Sequence, residues 1–318
     1  MTRLALERHQ VWLYLAAIAL GLAAGTALPS VAPALEHLLW PTLALLLFAT
    51  FLQVPLRHLR EALSDRRFAA AVLLGNFVAV PLLAWGLASL LLPAGEPALR
   101  LGVLLVLLVP CTDWFITFSQ LGGGNVPRAV AVTPLNLVLQ LLLLPLYLAL
   151  MTDTGGLGAW EPAGLVPATL IVLVPLAAAA VAERGIATHP RAQAAREAMA
   201  WWPVPLLAVV VFLIAAAQVG AVRAALAELA TVLPVFVLYL AGAALLARGL
   251  AGALKLPRDQ GRTLAFSLGT RNSFVVLPLA LALPAGWEVA AMVVVAQSLV
   301  ELFGMVVYVW AVPKVLFR

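Results

Sequence analysis

Apolar runs, each about 20 residues and so long enough to span a hydrocarbon core of roughly 30 Å, follow one another along the chain. They are separated by short clusters of Arg, Pro, Gly and acidic residues. Ten runs can be drawn: 11–28, 38–56, 68–92, 99–120, 126–151, 163–182, 202–219, 229–254, 260–284 and 287–312. A bilayer offers no water to an open backbone, so spanning segments are helices or closed barrels. These runs lack the strict alternation of a barrel strand, so the pattern predicts an all-α polytopic membrane protein with ten transmembrane helices.

Composition narrows the picture. Hydrophobic residues make up 64% of the 318 and charged residues 10%, against about 25% charged in soluble domains. No sizeable extramembrane domain fits between the runs. The single cysteine excludes an internal disulfide. The four histidines, His9, His37, His58 and His189, fall in predicted loops or tails, which argues against a histidine proton relay. The basic start and the small residues near Ala27 imitate a signal peptide. That reading is rejected because removing the first run would break the repeat described next.

The formal charge of +5 does not call for nucleic acid, because loop arginines account for it. With the N-terminus inside, 16 of the 19 Lys and Arg residues lie on the inner side, two (Arg100 and Arg223) lie outside, and Arg271 is in the membrane. By the positive-inside rule both termini are cytoplasmic, in a plasma (inner) membrane.

The two halves of the chain resemble each other. Asn136, Gln140 and Tyr147 in the fifth run match Gln297, Glu301 and Tyr308 in the tenth, each pair 161 positions apart. The same 161 relates Cys111 to Asn272. Five helices per copy is an odd number, so the copies, 1–151 and 152–318, are expected to run with inverted topology. Such repeats mark secondary transporters, whose sites lie near the midplane.

The fourth and ninth runs are poor membrane helices. Pro110, followed by Cys111, Thr112 and Asp113, removes a backbone donor. Gly269 precedes four polar residues, Thr270 to Ser273. Irregular backbone at this depth is tolerated where it lines a cavity or is buried in protein. Two broken helices, 4 and 9, are therefore expected to cross near Cys111 and Asn272. Their ends would offer partial charges to a substrate.

Charges inside the apolar runs are functional candidates by default. Glu301 is the one charge between Val289 and Val312 and is assigned to proton coupling. Asp113 is either the counter-ion of Arg271 or a second coupling group, and contact between these two is expected. Cys111 reads as a small apolar filler or as a ligand. Asn136, Gln140 and Gln297 read as supporting polar residues that hydrogen-bond between helices.

Pro110-Cys111-Thr112 through Gly124-Asn125, with Gln297 to Glu301 in the last run, resembles the arsenite permease (arsenical resistance) family. That family belongs to the bile acid/arsenite/riboflavin transporter superfamily and is related to the bile acid/sodium symporters. The resemblance implies a panel domain from helices 1, 2, 6 and 7 and a core domain from helices 3–5 and 8–10. It also implies that Cys111 and Glu301 carry arsenite translocation and coupling. The superfamily's sodium symporters place a Glu and a Gln at the ninth-helix break, where this chain has Ser267 and Arg271. A fixed cation there argues against sodium.

The leading expectation is efflux of arsenite or antimonite by proton antiport. Arsenic is substrate rather than resident metal, held by Cys111 with Thr112, Arg271, Asn272 and Ser273, while Glu301 and Asp113 handle protons. The alternative is a proton- or sodium-coupled carrier of a small organic anion. The partners are thus a small inorganic or organic solute and the lipid bilayer. The coupling ion is H+, and no cofactor is expected. An intramembrane protease is excluded, since Asp113 is the only intramembrane Asp and no His lies in a run.

Overall fold

The computed structural model describes residues 3–55, 64–152, 162–186 and 190–318. His58, His189 and part of the basic loop 57–67 lie outside these residues. The chain divides into two compact units, Met1–Gln53 with Pro162–Ala227, and Val54–Glu161 with Glu228–Arg318.

The helices in chain order are α1 Arg3–Ala27, α2 Ala32–Phe51, α3 Arg66–Leu91, α4 Pro97–Leu107, α5 Trp114–Leu121, α6 Val126–Met151 and α7 Pro162–Ile186. They continue with α8 Pro190–Met199, α9 Pro203–Ala217, α10 Val219–Ala253, α11 Arg258–Gly269, α12 Ser273–Leu281 and α13 Glu288–Ala311. Six helices among the described residues are long and apolar enough to cross a membrane, or seven if α8 and α9, bent by 46°, form one span.

The differences from ten uniform segments have local causes. The fourth and ninth runs are each split, so Pro97–Leu107 is too short to cross as one continuous helix. The expected loop 183–200 carries α8, and α10 begins at Val219, the end of the expected seventh run, and so takes in the expected outer loop that follows. His9 and His37, placed in loops from the sequence, sit on α1 and α2 with exposed side chains. The long apolar helices draw these flanking turns into helix.

In the first unit α9 packs between α1 and α2. Gly21 and Gly25 make the α1 contact possible, since a Cβ on Gly21 would stand 2.5 Å from the carbonyl oxygen of Phe212. The G-x-x-x-G spacing here serves close packing. Tyr14 donates to Gln10 one turn earlier, 3.2 Å away, which satisfies the hydroxyl within α1.

In the second unit α4 lies on α13, with Gly102 against Ala290 and Val293. Side-chain caps start the polar-headed helices: Asp65 accepts from the N–H of Phe68, Asn125 from Arg128 and Asn272 from Val275. A polar cluster ties α3, α6 and α11 together near these caps. Asn125 Nδ2 donates to Asp259 at 2.7 Å, Gln260 Nε2 to Asp65 at 2.8 Å, and Arg128 pairs with Asp65 at 3.6 Å. Burial pushes the Asp65 carboxyl up, but the Phe68 N–H, the Gln260 amide and the Arg128 charge pull harder, and it ends below the usual carboxylate range.

α3 is not uniform. It widens into a π-helical turn at Gly75–Ala79. Such turns free carbonyls and re-aim side chains. Tyr147 of α6 donates to the Phe77 carbonyl at 2.6 Å, and Asn76 is turned fully into the unit.

Candidate functional site at the helix crossing

Pro110 has no N–H, so it cannot bond the Val106 carbonyl and α4 ends at Leu107. α5 starts at Trp114. The second break runs from Gly269 to Ser273. The two breaks meet as an antiparallel bridge between Pro110 and Arg271. Asn272 N donates to the Val109 carbonyl at 2.8 Å, and Cys111 N donates to the Thr270 carbonyl at 3.3 Å. The Val109 and Thr270 carbonyls and the Asn272 and Cys111 N–H groups are thus met across the two breaks, as buried backbone favours.

Arg271 organises this crossing. Its side chain is 2% exposed. Nη2 donates to Asn76 Oδ1 at 2.8 Å, to the Ser267 carbonyl at 2.8 Å and to the Leu268 carbonyl at 3.0 Å. Nη1 donates to the Leu107 carbonyl at 3.3 Å. Ser267 and Leu268 are near the end of α11, and Leu107 ends α4, so one guanidinium caps two helix C-termini. A cation at the negative end of a helix dipole is favourable, and more so when buried. The guanidinium also stands 5.7 Å from the ring centre of Tyr239, whose hydroxyl donates to the Leu268 carbonyl at 2.6 Å.

None of these partners is Asp113. The expected Asp113–Arg271 contact gives way because carbonyls freed by the two helix ends take the guanidinium. The carboxylate that meets Arg271 belongs to Glu301, through the backbone. Glu301 Oε2 accepts the Arg271 N–H at 2.8 Å and the Gln297 amide at 2.8 Å. Ser273 Oγ donates to Gln297 Oε1 at 3.2 Å. Glu301 is 1% exposed, and its Oε1 has no partner among the described residues.

The remaining candidates divide in two. Asn272 Nδ2 donates to Thr112 Oγ1 at 3.1 Å, and the Cys111 thiol lies 3.9 Å from Asp113 Oδ1. Cys111, Thr112, Asn272 and Ser273 are buried, while Asp113 is half-buried at the start of α5. Trp114 and Phe274 meet edge to face at 5.1 Å beside the crossing. Cys111, Thr112, Asp113, Arg271, Asn272, Ser273, Gln297 and Glu301 therefore come together.

Asn136 and Gln140 behave otherwise. Interhelical hydrogen bonds are expected of them, but both are buried and none of their four amide nitrogen and oxygen atoms has a partner among the described residues. Each unmet buried polar group costs about 1–3 kcal/mol, and four approach the total stability of a typical domain, about 5–15 kcal/mol. The sequence reading missed Asn76. A lone Asn beside Gly75 in an otherwise apolar run was its signal.

Long apolar helices around a buried polar crossing define a multi-pass integral membrane protein. The chain belongs to the sodium bile acid symporter family: a family model described as Sodium Bile acid symporter family matches residues 40–224, more than half of the chain. The matched stretch includes the first break, Asn136 and Gln140, and ends before Arg271 and Glu301. The family is one of membrane transporters, not of enzymes. An uncharacterized protein of Pseudomonas aeruginosa is 35% identical over 112 residues, which covers 35% of this chain and 34% of that relative. The aligned part is about a third of the relative's length. Both comparisons leave the arsenite permease resemblance unsupported.

Proposed function

We propose that this protein is a secondary transporter of a small organic anion, coupled to protons rather than sodium. One observation carries the reading: the Arg271 guanidinium fills a cage of neutral oxygens from Asn76, Leu107, Ser267 and Leu268. Such oxygens at two helix C-termini would suit a small hard cation. Here the cation is covalently tethered, so a mobile sodium ion has no role at that point.

Substrate recognition falls to Thr112, Asn272 and Ser273, beside the N-terminal ends of α5 and α12. These ends favour negative charge. Arg271 holds the crossing together through Nη1 and Nη2, so its part is to position these groups. Asp113 stands where a substrate carboxylate would approach. Protonation of Asp113 removes the like charge, which links proton binding to anion binding. Glu301 is the second proton group, since a proton there changes the hold of Oε2 on the Arg271 N–H.

The reciprocal bonds at the crossing support two inverted repeats, 1–151 and 152–318. Val109 and Thr270 accept, Asn272 and Cys111 donate, and 161 positions separate each matched pair. Tyr147 and Tyr308, also 161 apart, each donate to a backbone carbonyl, those of Phe77 and Leu240. The ten-span count rests on taking each broken helix as one span. The two compact units support a panel of spans 1, 2, 6 and 7 and a core of spans 3–5 and 8–10. The lysine and arginine distribution supports cytoplasmic termini in a plasma (inner) membrane.

A second reading, arsenite or antimonite efflux, is favoured by the place of Cys111 at the crossing. The sulfur is engaged with Asp113 rather than held open as a ligand, which weighs against it. The experiment is uptake into everted membrane vesicles of labelled arsenite and of a panel of small labelled carboxylates, for the natural protein and Cys111→Ser. Carboxylate uptake that survives Cys111→Ser fits the organic-anion reading. Arsenite uptake that is lost in Cys111→Ser overturns it.

A further inference from the structure

We propose that Asn136 and Gln140 on α6 bind a small cluster of internal water that caps the end of α4 at Val106. This goes beyond the transport reading and does not depend on it. The two residues are one helical turn apart on α6, which puts them on one face. Their side chains are 0% and 1% exposed, and all four amide heteroatoms are unpartnered among the described residues.

Asn136 is ten residues into α6, about 15 Å along it, whereas the neighbouring α5, of eight residues, is about 12 Å long. Both amides therefore reach past α5 to the level of the first break. α4 and α5 each pack on α6.

The break supplies the other half of the site. In the second repeat the carbonyls of Ser267 and Leu268 are capped by Arg271. The positions 161 earlier are Val106 and Leu107, and the position matching Arg271 is Pro110. Proline has neither a side-chain donor nor an N–H. Leu107 is reached by Arg271 across the crossing, but Val106 loses the N–H that a helix would bring from position 110. Likewise Glu301 accepts the Arg271 N–H, whereas for its counterpart Gln140 the matching position, Pro110, has no N–H to give.

The chemistry selects the ligand. A bare cation would serve only the two amide oxygens, and a bare anion only the two amide nitrogens. The occupant must donate and accept, donate also to a carbonyl, and be small enough for a site closed to solvent. Water meets all of these, and buried water typically makes two to four such bonds.

The test is X-ray radiolytic labelling of the purified full-length protein in lipid nanodiscs, read by mass spectrometry, with oxygen-18 water mixed in just before the pulse. Water that exchanges slowly leaves oxygen-16 on the side chains of 104–111 and 133–140. That label is expected in the natural protein and should fall to background in the double variant Asn136→Leu, Gln140→Leu. Absence of oxygen-16 label in the natural protein, or label unchanged in the double variant, overturns the proposal. Should the double variant not fold, Gln140→Met gives the same comparison. Its thermal midpoint is a second readout: a fall fits a lost water ligand, whereas a rise, expected when an orphaned amide leaves a dry site, contradicts it.

Discussion

Arg271 meets Glu301 through its backbone, not its charge: the Arg271 N–H lies 2.8 Å from Glu301 Oε2, while the guanidinium caps α4 and α11. A single residue thus joins both broken helices to the carboxylate of α13. Removing the guanidinium would take its donors from three helix-end carbonyls, Leu107, Ser267 and Leu268, and from Asn76 Oδ1, with only Leu268 keeping a second donor in Tyr239. Arg271→Gln is expected to lower stability by about 3 kcal/mol or more. Arg271→Lys should recover only part, since one ammonium cannot reproduce the planar fork. Thermal unfolding of the purified variants checks both.

Asn76 spans from the π-helical turn of α3 to the crossing. It accepts from Arg271 at 2.8 Å and donates to Ser267 Oγ at 3.0 Å. Asn76→Leu keeps the branched shape, adds some bulk and loses both bonds, so stability should fall by about 2 kcal/mol. A thermal midpoint indistinguishable from the natural protein would mean that α3 does not brace Arg271.

Gly102 sets how closely α4 approaches α13. A Cβ there would be 2.9 Å from both Cα and the carbonyl oxygen of Ala290. Gly102→Ala is expected to cost about 1–3 kcal/mol by overpacking. Gly95→Ala, where nothing lies within 4 Å, is the control and should be neutral or slightly stabilising. Denaturation midpoints of the two variants, compared side by side, give the answer.

Asp65 makes the polar cluster sensitive to acid. Its carboxyl is held below its ordinary range in the folded protein. The stability it contributes is therefore fully present above the unfolded value, about 3.9, and is lost as pH falls through the lower folded value. In a titration of thermal midpoint from neutral pH downward, the gap between the natural protein and Asp65→Asn should shrink at the acid end. A gap that widens with acid would reverse the sign of the argument.

Much of the crossing was legible in the sequence because it is written in backbone chemistry. Pro110 removes a donor and Gly269 precedes a polar run, so both breaks could be placed to within a few residues. Gln297 and Glu301, four apart on one helix, were a visible pair, and they do bond. The partner of Arg271 was not legible. Coulomb reasoning offered it the nearest opposite charge, Asp113, but broken helices also release carbonyls. Those were assigned to a substrate when they belong to the guanidinium. Asn76 gains its meaning only through a π-helical turn and a partner 195 positions away. The unpartnered amides of Asn136 and Gln140 could not be seen either, because polar residues in a membrane helix ordinarily find a neighbour.

The central claim is that a tethered cation has replaced a mobile one and that protons drive transport. The most direct measurement is carboxylate uptake by the purified protein in liposomes under an imposed pH gradient or an imposed sodium gradient, for the natural protein and Glu301→Gln. Glu301→Gln should fold, because its amide oxygen can still accept from the Arg271 N–H. The account predicts uptake driven by the pH gradient, none driven by sodium, and loss of pH-driven uptake in Glu301→Gln. Uptake driven by the sodium gradient in the natural protein, or pH-driven uptake undiminished in Glu301→Gln, would contradict it.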